Sequence, residues 1–209
     1  MGALKEKAYD QLLKQIMKAP GGTVFSVRKS AEELGISYTP VREALLKLQN
    51  EGLLEQQYAG FTVVEMNEKR IKEICQCREC VEDYVLPLVV NKIDEDDIRY
   101  LRAFNSKQEE AVTENNSVKF EEMDAQFHIY LIDTFGNSQL TEFYRSVRKQ
   151  YRVGKNRLEV VHSMLPVNEH KEFLEFIEHK EFDKAVNLMK RHTKAAVERM
   201  KDGYVQIGI

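Results

Sequence analysis

Four side chains in the second half of the sequence have types and a spacing that suit a divalent metal ion. Asp124 and His128 are four residues apart in a segment of helical periodicity, so both project from one helix face. His170 and His192 each lie eleven residues from Glu181, where a turn between two helices is predicted. In an antiparallel helical hairpin the two imidazoles would lie at one level, about 16 Å along each helix from the bend. One carboxylate and three imidazoles suit zinc, nickel, manganese or iron.

Spacing alone leaves a second interpretation open, in which each histidine is satisfied separately by its own neighbour or by water. The other two histidines, His162 and His179, are expected at the protein surface. His179 is expected there because it lies at the predicted turn.

The three cysteines lie close together, at Cys75, Cys77 and Cys80. They cannot form a disulfide framework, and Cys77 and Cys80 have the CxxC spacing of redox and zinc sites. The surrounding residues have helical periodicity, with no second CxxC and no βαβ pattern beside them. Structural or incidental thiols are therefore favoured over a redox or zinc role.

A second constellation lies near the N-terminus. An amphipathic helix ends at Pro20-Gly21-Gly22, a short helix follows over residues 26–34, and Gly35 ends it. A third helix begins near Ser37 or Thr39, with a proline in its first turn, and ends before Gly52. Two short strands, 53–57 and 61–65, then form a hairpin. This order predicts a winged helix-turn-helix.

In such a motif the second helix enters the major groove of DNA and its first residues reach the base edges. Tyr38, Thr39, Val41 and Arg42 occupy those positions, and an arginine fork can bond guanine O6 and N7 together. Arg28, on the preceding helix, suits a phosphate or base contact. The alternative is a plain packing unit in which these side chains are a solvated helix surface.

Charge and composition exclude some classes of protein. The 209 residues carry a net charge of −3, and 43% of them are hydrophobic, which is too apolar for a disordered chain. Residues 1–50 hold eight Lys or Arg against five Asp or Glu, a weak basic footprint. No apolar stretch approaches the length of a membrane span, and a signal peptide is not indicated, so a cytosolic protein is expected.

After Asn67 the periodicity is helical throughout, which predicts a mainly α protein. The expected helices are 68–90, 94–114, 117–135, 138–155, 167–179 and 181–200. We therefore divide the chain into residues 1–66, a winged helix-turn-helix with a small β-hairpin wing, and residues 67–209, an all-α bundle for ligand binding and pairing.

The amino-acid sequence of the N-terminal segment resembles the helix-turn-helix of GntR-family repressors. The resemblance rests on the run of residues 31–45, on Leu48, and on Glu51-Gly52-Leu53 before the wing. It implies that Arg28, Thr39 and Arg42 contact operator DNA and that the wing tip at Gly60 approaches the minor groove. The family often has arginine where Tyr38 stands, and the wing of this chain lacks the basic residues often found there.

The second half resembles the FadR-type C-terminal ligand domain. The resemblance rests on residues 124–128, Gly136-Asn137, Glu169-His170 and the segment from Asp183 to His192. In the metal-binding branch of that domain, an Asp and three His hold the ion, which implies Asp124, His128, His170 and His192 as ligands. That branch senses small organic acids beside the metal. Arg78 stands where the family has an arginine that could clamp an acid, and Arg148 and Arg152 are weaker candidates. For each of the three, a surface charge or a salt-bridge partner is an equal alternative.

These features together predict a metabolite-responsive transcriptional regulator, most simply a repressor. It would act as a homodimer on a pseudo-palindromic operator, with zinc as the first choice of metal and a small organic acid as effector. Two alternatives are a metal-dependent hydrolase-like enzyme, since a metal can activate water, and a helical interaction protein with a structural metal.

Overall fold

Short helices and a small sheet form the N-terminal part of the chain. The computed structural model describes residues 2–58, 60–156 and 163–207. We call residues 2–66 the head, and its elements are α1 (Gly2–Ile16), β1 (Val24–Phe25), α2 (Val27–Leu34), α3 (Tyr38–Asn50), β2 (Leu54–Gln57) and β3 (Gly60–Val63). The strands form an antiparallel sheet in the order β1-β3-β2, with Val24 opposite Thr62 and Leu54 opposite Val63. The predicted hairpin is therefore confirmed, and β1 adds a third strand that the sequence pattern did not predict.

The helix boundaries of the head follow from local chemistry. The Ser26 hydroxyl accepts a hydrogen bond from the backbone N–H of Lys29 and caps α2, which ends at Gly35 in the left-handed conformation, at φ 61°. Ser37 occupies the N-cap position of α3, and Pro40 falls in the first turn, where its missing N–H leaves no helical bond unmade.

Six further helices, which we call the bundle, follow Asn67 in the described part of the chain. They are α4 (Glu68–Val89), α5 (Glu95–Thr113), α6 (Ser117–Asp133), α7 (Ser138–Asn156), α8 (Met164–Glu178) and α9 (Phe182–Ile207). The Asn67 side chain accepts from the N–H of Arg70 at 3.0 Å and so caps α4. The mainly α fold class is confirmed. None of the helices within the described ranges has a stretch that is both long and apolar enough to cross a lipid bilayer.

One hydrophobic cluster joins the head to the bundle. Leu12 of α1 and Leu45 of α3 belong to the same buried cluster as Ile71 of α4, Val147 of α7 and Val197 of α9. Burying a side chain of this size stabilises the fold by about 1.5–3 kcal/mol. Because this core continues past Asn67, the division of the chain into two domains at that residue stays a prediction.

Candidate metal centre and DNA-facing surface

The four sequence-predicted ligands lie together inside the bundle. Asp124 and His128 stand one turn apart on α6, His170 lies on α8 and His192 on α9, and their ligand atoms are all within 4.8 Å of one another. Each is buried, Asp124 being the most exposed at 6%. Within the described ranges, no other group of three or more His, Cys, Asp or Glu has this arrangement.

The α8–α9 hairpin brings two of the imidazoles to one level. The chain reverses at His179 to Glu181, where Lys180 adopts a positive φ of 59°. The rings of His170 and His192 then face each other with their centroids 4.8 Å apart. The convergence expected from their equal distance to the turn is thus present. His179 is exposed, as expected, whereas His162 lies outside the described residues.

Gln108 of α5 determines which nitrogen of His170 carries the proton. Its amide N–H₂ donates to Asp124 Oδ1 at 3.1 Å, so its carbonyl oxygen faces His170 Nδ1 at 3.0 Å. That oxygen can only accept, which makes Nδ1 the protonated nitrogen and leaves a bare lone pair on Nε2. Nε2 is buried and has no hydrogen-bond partner among the residues that the structure describes. The ring is held flat against Phe127, with centroids 4.0 Å apart.

The other two imidazoles have the same arrangement. A carboxylate oxygen of Glu169 lies 2.7 Å from Nδ1 of His192, and a carboxylate oxygen of Glu82 lies 3.5 Å from Nδ1 of His128. The Glu169 carboxylate can only accept, so His192 carries its proton on Nδ1 and its lone pair on Nε2. Nε2 of His128 lies 3.3 Å from Nε2 of His192 and 3.3 Å from the Arg78 guanidinium, which can only donate. Both Nε2 atoms are therefore candidate metal ligands.

This donor set fits a tetrahedral metal ion. Two nitrogens bound to one zinc ion at about 2.1 Å lie about 3.4 Å from each other, close to the separation of His128 and His192 Nε2. The orphaned Nε2 of His170 and the Asp124 carboxylate complete a set of four donors. The Gln108 carbonyl and the Glu169 and Glu82 carboxylates face the Nδ1 atoms of the three histidines, as such groups do beside metal-binding imidazoles.

Electrostatics keep the ligands in the forms that bind metal. Burial opposes the charge on Asp124, but Arg148, His128 and His170 hold the pKa of its carboxyl well below its ordinary value. Burial, reinforced by Arg78 and Arg148, lowers the pKa of His128. Burial lowers the pKa of His170 to about 3, and His192 adds to this shift. Asp124 is therefore a carboxylate, and His128 and His170 are neutral, at neutral pH.

The three candidate arginines differ in how many of their guanidinium N–H groups have hydrogen-bond partners. Arg78 is buried, donates from Nε to Glu82 at 2.8 Å and approaches His128 Nε2 at 3.3 Å. Arg148 is buried and bonds Asp124 through Nη2 at 2.5 Å, while its Nε and Nη1 have no hydrogen-bond partner within the described ranges. The same holds for the Nε of the half-buried Arg152. Of the three arginines, Arg148 is therefore the fully buried one with N–H donors unused by described residues.

Sequence reasoning missed the residues that surround the four donors. Glu82 accepts from Arg78, from the hydroxyl of Tyr144 and from the hydroxyl of Thr193, all in the buried interior. Its spacing of four residues from Arg78 was a signal that could have indicated the pair. Gln108 gave no signal, because a lone glutamine in a helical pattern is most often solvated.

Most of the residues predicted to read DNA lie on an open face of the head, but Val41 is buried in the core and cannot reach a base edge. Tyr38, Thr39 and Arg42 are exposed in the first two turns of α3, and Arg42 makes no ion pair with a described residue. Arg28 is exposed on α2, where its Nε donates to Glu32 at 3.1 Å. Gly60 begins β3, beside the fully exposed Tyr58, and a Cβ there would meet the carbonyl oxygen of Phe25 at 2.7 Å.

The cysteines contribute no comparable cluster in the described chain. Cys75 is buried in the core that joins head and bundle, Cys77 is half-buried, and Cys80 is exposed, all as free thiols. Burial raises the pKa of Cys75 to about 11, which leaves it protonated and unreactive.

Comparison with known proteins matches two segments of the chain. Residues 73–195 match the model of the FCD domain, and residues 4–64 match that of the bacterial regulatory proteins of the gntR family. The HTH-type transcriptional regulator YdhC of Bacillus subtilis is 25% identical over 207 residues, which cover 92% of this chain and 89% of YdhC. The gluconate operon transcriptional repressor of the same organism is 28% identical over 128 residues, covering 61% and 52% of the two chains.

Solved structures share the fold. Escherichia coli McbR/YncC superposes with a TM-score of 0.83 over 96% of this chain and 98% of its own, at 21% identity. A GntR-type regulator from Rhodococcus gives a TM-score of 0.78 over 94% and 96%, at 20% identity. With the two matched segments in this order, the chain belongs to the GntR family of bacterial transcriptional regulators that carry an FCD domain.

Proposed function

We propose that this regulator is a repressor whose operator affinity responds to a small organic acid bound beside a divalent metal in the bundle. The observation that carries the metal is the orphaned Nε2 of His170, a bare lone pair in a fully buried place. An unsatisfied buried acceptor of this kind costs about 1–3 kcal/mol, and a cation removes that cost. Asp124, His128, His170 and His192 are the proposed ligands, and zinc is the first choice because the donors suit a tetrahedral ion.

The effector is proposed to be a carboxylate because the site retains cationic donors. A bound metal would act as a Lewis acid toward a carboxylate oxygen. Arg148, with Nε and Nη1 unpartnered, is the residue best placed to clamp the second oxygen, since its planar fork matches a carboxylate. Arg152 offers a further donor, whereas Arg78 is neutralised by Glu82.

The head supplies the proposed DNA contacts. Arg28 is exposed in the first turn of α2, and Tyr38, Thr39 and Arg42 are exposed near the start of α3. In a winged helix-turn-helix these positions would meet the major groove, and the wing at Gly60 would approach the minor groove. A single head contacts too few base pairs to select one operator. We therefore propose a symmetric homodimer on a pseudo-palindromic site.

The hydrolase alternative finds no support in the site. Hydrolysis by a metal-activated water is helped by a free base that takes its proton, most often a histidine or a carboxylate, and the three buried histidines are already assigned to the metal. Glu82 and Glu169, the carboxylates that contact the proposed ligands, are both engaged, Glu82 with Arg78 and Glu169 with His192. The relatives reported above are named as regulators.

Two measurements test this function. Selection of duplexes from a random pool by the purified protein, followed by gel retardation, should yield a pseudo-palindromic sequence whose binding falls steeply with salt. A thermal-shift screen of small carboxylates with and without zinc, nickel or manganese should then find an acid whose stabilisation needs the metal. No enriched duplex would contradict DNA binding, and protein without metal by elemental analysis and without a metal-induced shift would contradict the metal centre.

A further inference from the structure

The outer face of α7 contacts the turn that ends the recognition helix α3. Lys149 Nζ lies 2.6 Å from Glu51 Oε1 and donates to the Tyr9 hydroxyl at 2.8 Å, and that hydroxyl donates to the other carboxylate oxygen of Glu51 at 2.7 Å. The Ser146 hydroxyl donates to the backbone carbonyl of Glu51 at 2.8 Å. Glu51 is only 14% exposed, so these bonds are shielded from solvent.

Gly52, the next residue of the turn, is contacted by side chains of both α4 and α7. Arg70 of α4 donates through Nη2 to the carbonyl of Gly52 at 2.9 Å and to Gln150 Oε1 at 3.2 Å. Gly52 has a φ of 74°, and a Cβ there would come within 2.7 Å of the Gln150 amide. The left-handed backbone requires glycine here, and a larger residue would also displace the end of the Gln150 side chain.

The opposite face of the same helix enters the candidate metal centre. Arg148, the residue before Lys149, bonds Asp124, and Tyr144, one turn earlier, bonds Glu82. Val147 lies between the two faces, in the core shared by head and bundle. A shift of α7 caused at Asp124 would therefore move the groups that hold Glu51 and Gly52, because a packed helix moves as a unit.

We infer that Ser146, Lys149 and Gln150 are positioning residues for the recognition helix, through which occupancy of the buried site is transmitted to the DNA-reading face. The inference rests on the proposed metal centre. Zinc held by Asp124 should fix Arg148, then α7, and then the last turn of α3. Lys149 carries the largest share, because it holds the Glu51 carboxylate and Tyr9 together.

Hydrogen exchange of residues 46–53 measures this transmission without DNA. The N–H groups of Glu51, Gly52 and Leu53 donate to the carbonyls of Lys47, Gln49 and Leu48 at 3.0, 2.8 and 3.0 Å, so their exchange reports opening of the turn. In wild type, zinc should slow exchange in this segment. In Lys149→Met the zinc-dependent difference should disappear while calorimetry gives an unchanged zinc affinity.

Two matched variants separate positioning from general stability. Lys184→Met removes an exposed ion pair with Glu181 that has no contact with α3, and it should keep the wild-type zinc response. Lys149→Arg restores the cation and should recover the response. Ser146→Ala, which removes one bond to the Glu51 carbonyl, should weaken it and serves if Lys149→Met does not fold.

The outcomes distinguish this inference from the proposed function. If zinc binds but exchange of residues 46–53 is the same with and without it, or if Lys149→Met responds as wild type does, the inference is overturned and the metal centre stands. If calorimetry detects no zinc binding, the metal centre is wrong and the inference is overturned with it.

Discussion

Acidification should destabilise the metal-free protein because of the buried imidazoles. Burial lowers the pKa of His170 to about 3, and burial with Arg78 lowers that of His128. In the unfolded chain both imidazoles return to an ordinary pKa of about 6.5. The unfolded state therefore binds more protons than the folded state at any pH between these values. Since stability rises with pH wherever this holds, it is lost progressively as the pH falls below about 6.5.

The magnitude follows from the position of the unfolded pKa. One pH unit below it, at about pH 5.5, each histidine that stays neutral in the folded state costs about 1.4 kcal/mol relative to about pH 7.5. His128 and His170 together should cost about 3 kcal/mol, because both are fully buried. The lowered pKa values of Asp124, Glu82 and Glu169 act in the same direction, but their contribution is lost only as the pH falls through the range of about 4 and below.

The assay is urea unfolding of chelator-treated protein, followed by circular dichroism at several pH values. His170→Gln should remove about half of the pH dependence between about pH 7.5 and 5.5, whatever it does to absolute stability. His179→Gln, at an exposed position, should keep the wild-type dependence. An unfolding free energy that stays constant or increases toward pH 5.5 would refute the reasoning, since it would place ordinary, protonatable imidazoles in the site.

Three further predictions concern the proposed function. Arg42→Ala should weaken binding to the selected duplex by about 1–3 kcal/mol and relax the sequence preference of the protein. Gel retardation on matched and mismatched duplexes measures both effects. A variant with the affinity and selectivity of wild type would show that Arg42 does not contact the bases. Free zinc at a hundred times its dissociation constant should stabilise the protein by about 2.7 kcal/mol, as measured by thermal unfolding. His170→Ala or His192→Ala should abolish this gain, whereas His179→Ala should leave it intact. Light scattering should give the mass of a dimer at micromolar concentration, and a monomer with and without DNA would contradict the symmetric operator.

Helical periodicity predicted the bundle well because amphipathic helices of this length report their buried face directly. The structure places α4 to α7 within two residues of the expected bounds, from Glu68–Val89 to Ser138–Asn156. The exceptions have physical reasons. The strand β1 is two residues long, too short for an alternating pattern, and exists only because β3 pairs with it. Helix α8 begins at Met164, earlier than expected, since Pro166 falls in its first turn and does not break it.

The candidate site was predictable only where chain geometry determines proximity. One helix face brings Asp124 to His128, and equal distances from a turn bring His170 to His192. No such rule links Gln108 to His170. The two residues are 62 positions apart in the sequence, and their helices α5 and α8 meet only through tertiary packing. The same holds for the contact of α7 with Glu51, which depends on how the head docks on the bundle.

Charge balance explains why a metal and an acid should bind this site together. In the metal-free protein the buried guanidinium groups are matched, Arg78 by Glu82 and Arg148 by Asp124, so the interior carries little net charge. Two added positive charges in this low-dielectric place leave an excess that burial penalises. A carboxylate on the metal and on the unpartnered Nε and Nη1 of Arg148 reduces that excess. By linkage, each ligand then raises the affinity for the other by the same factor. Because Asp124 would bind the metal and already bonds Arg148, and because the acid would engage the same guanidinium, Arg148 is the residue through which ligand occupancy would reach α7.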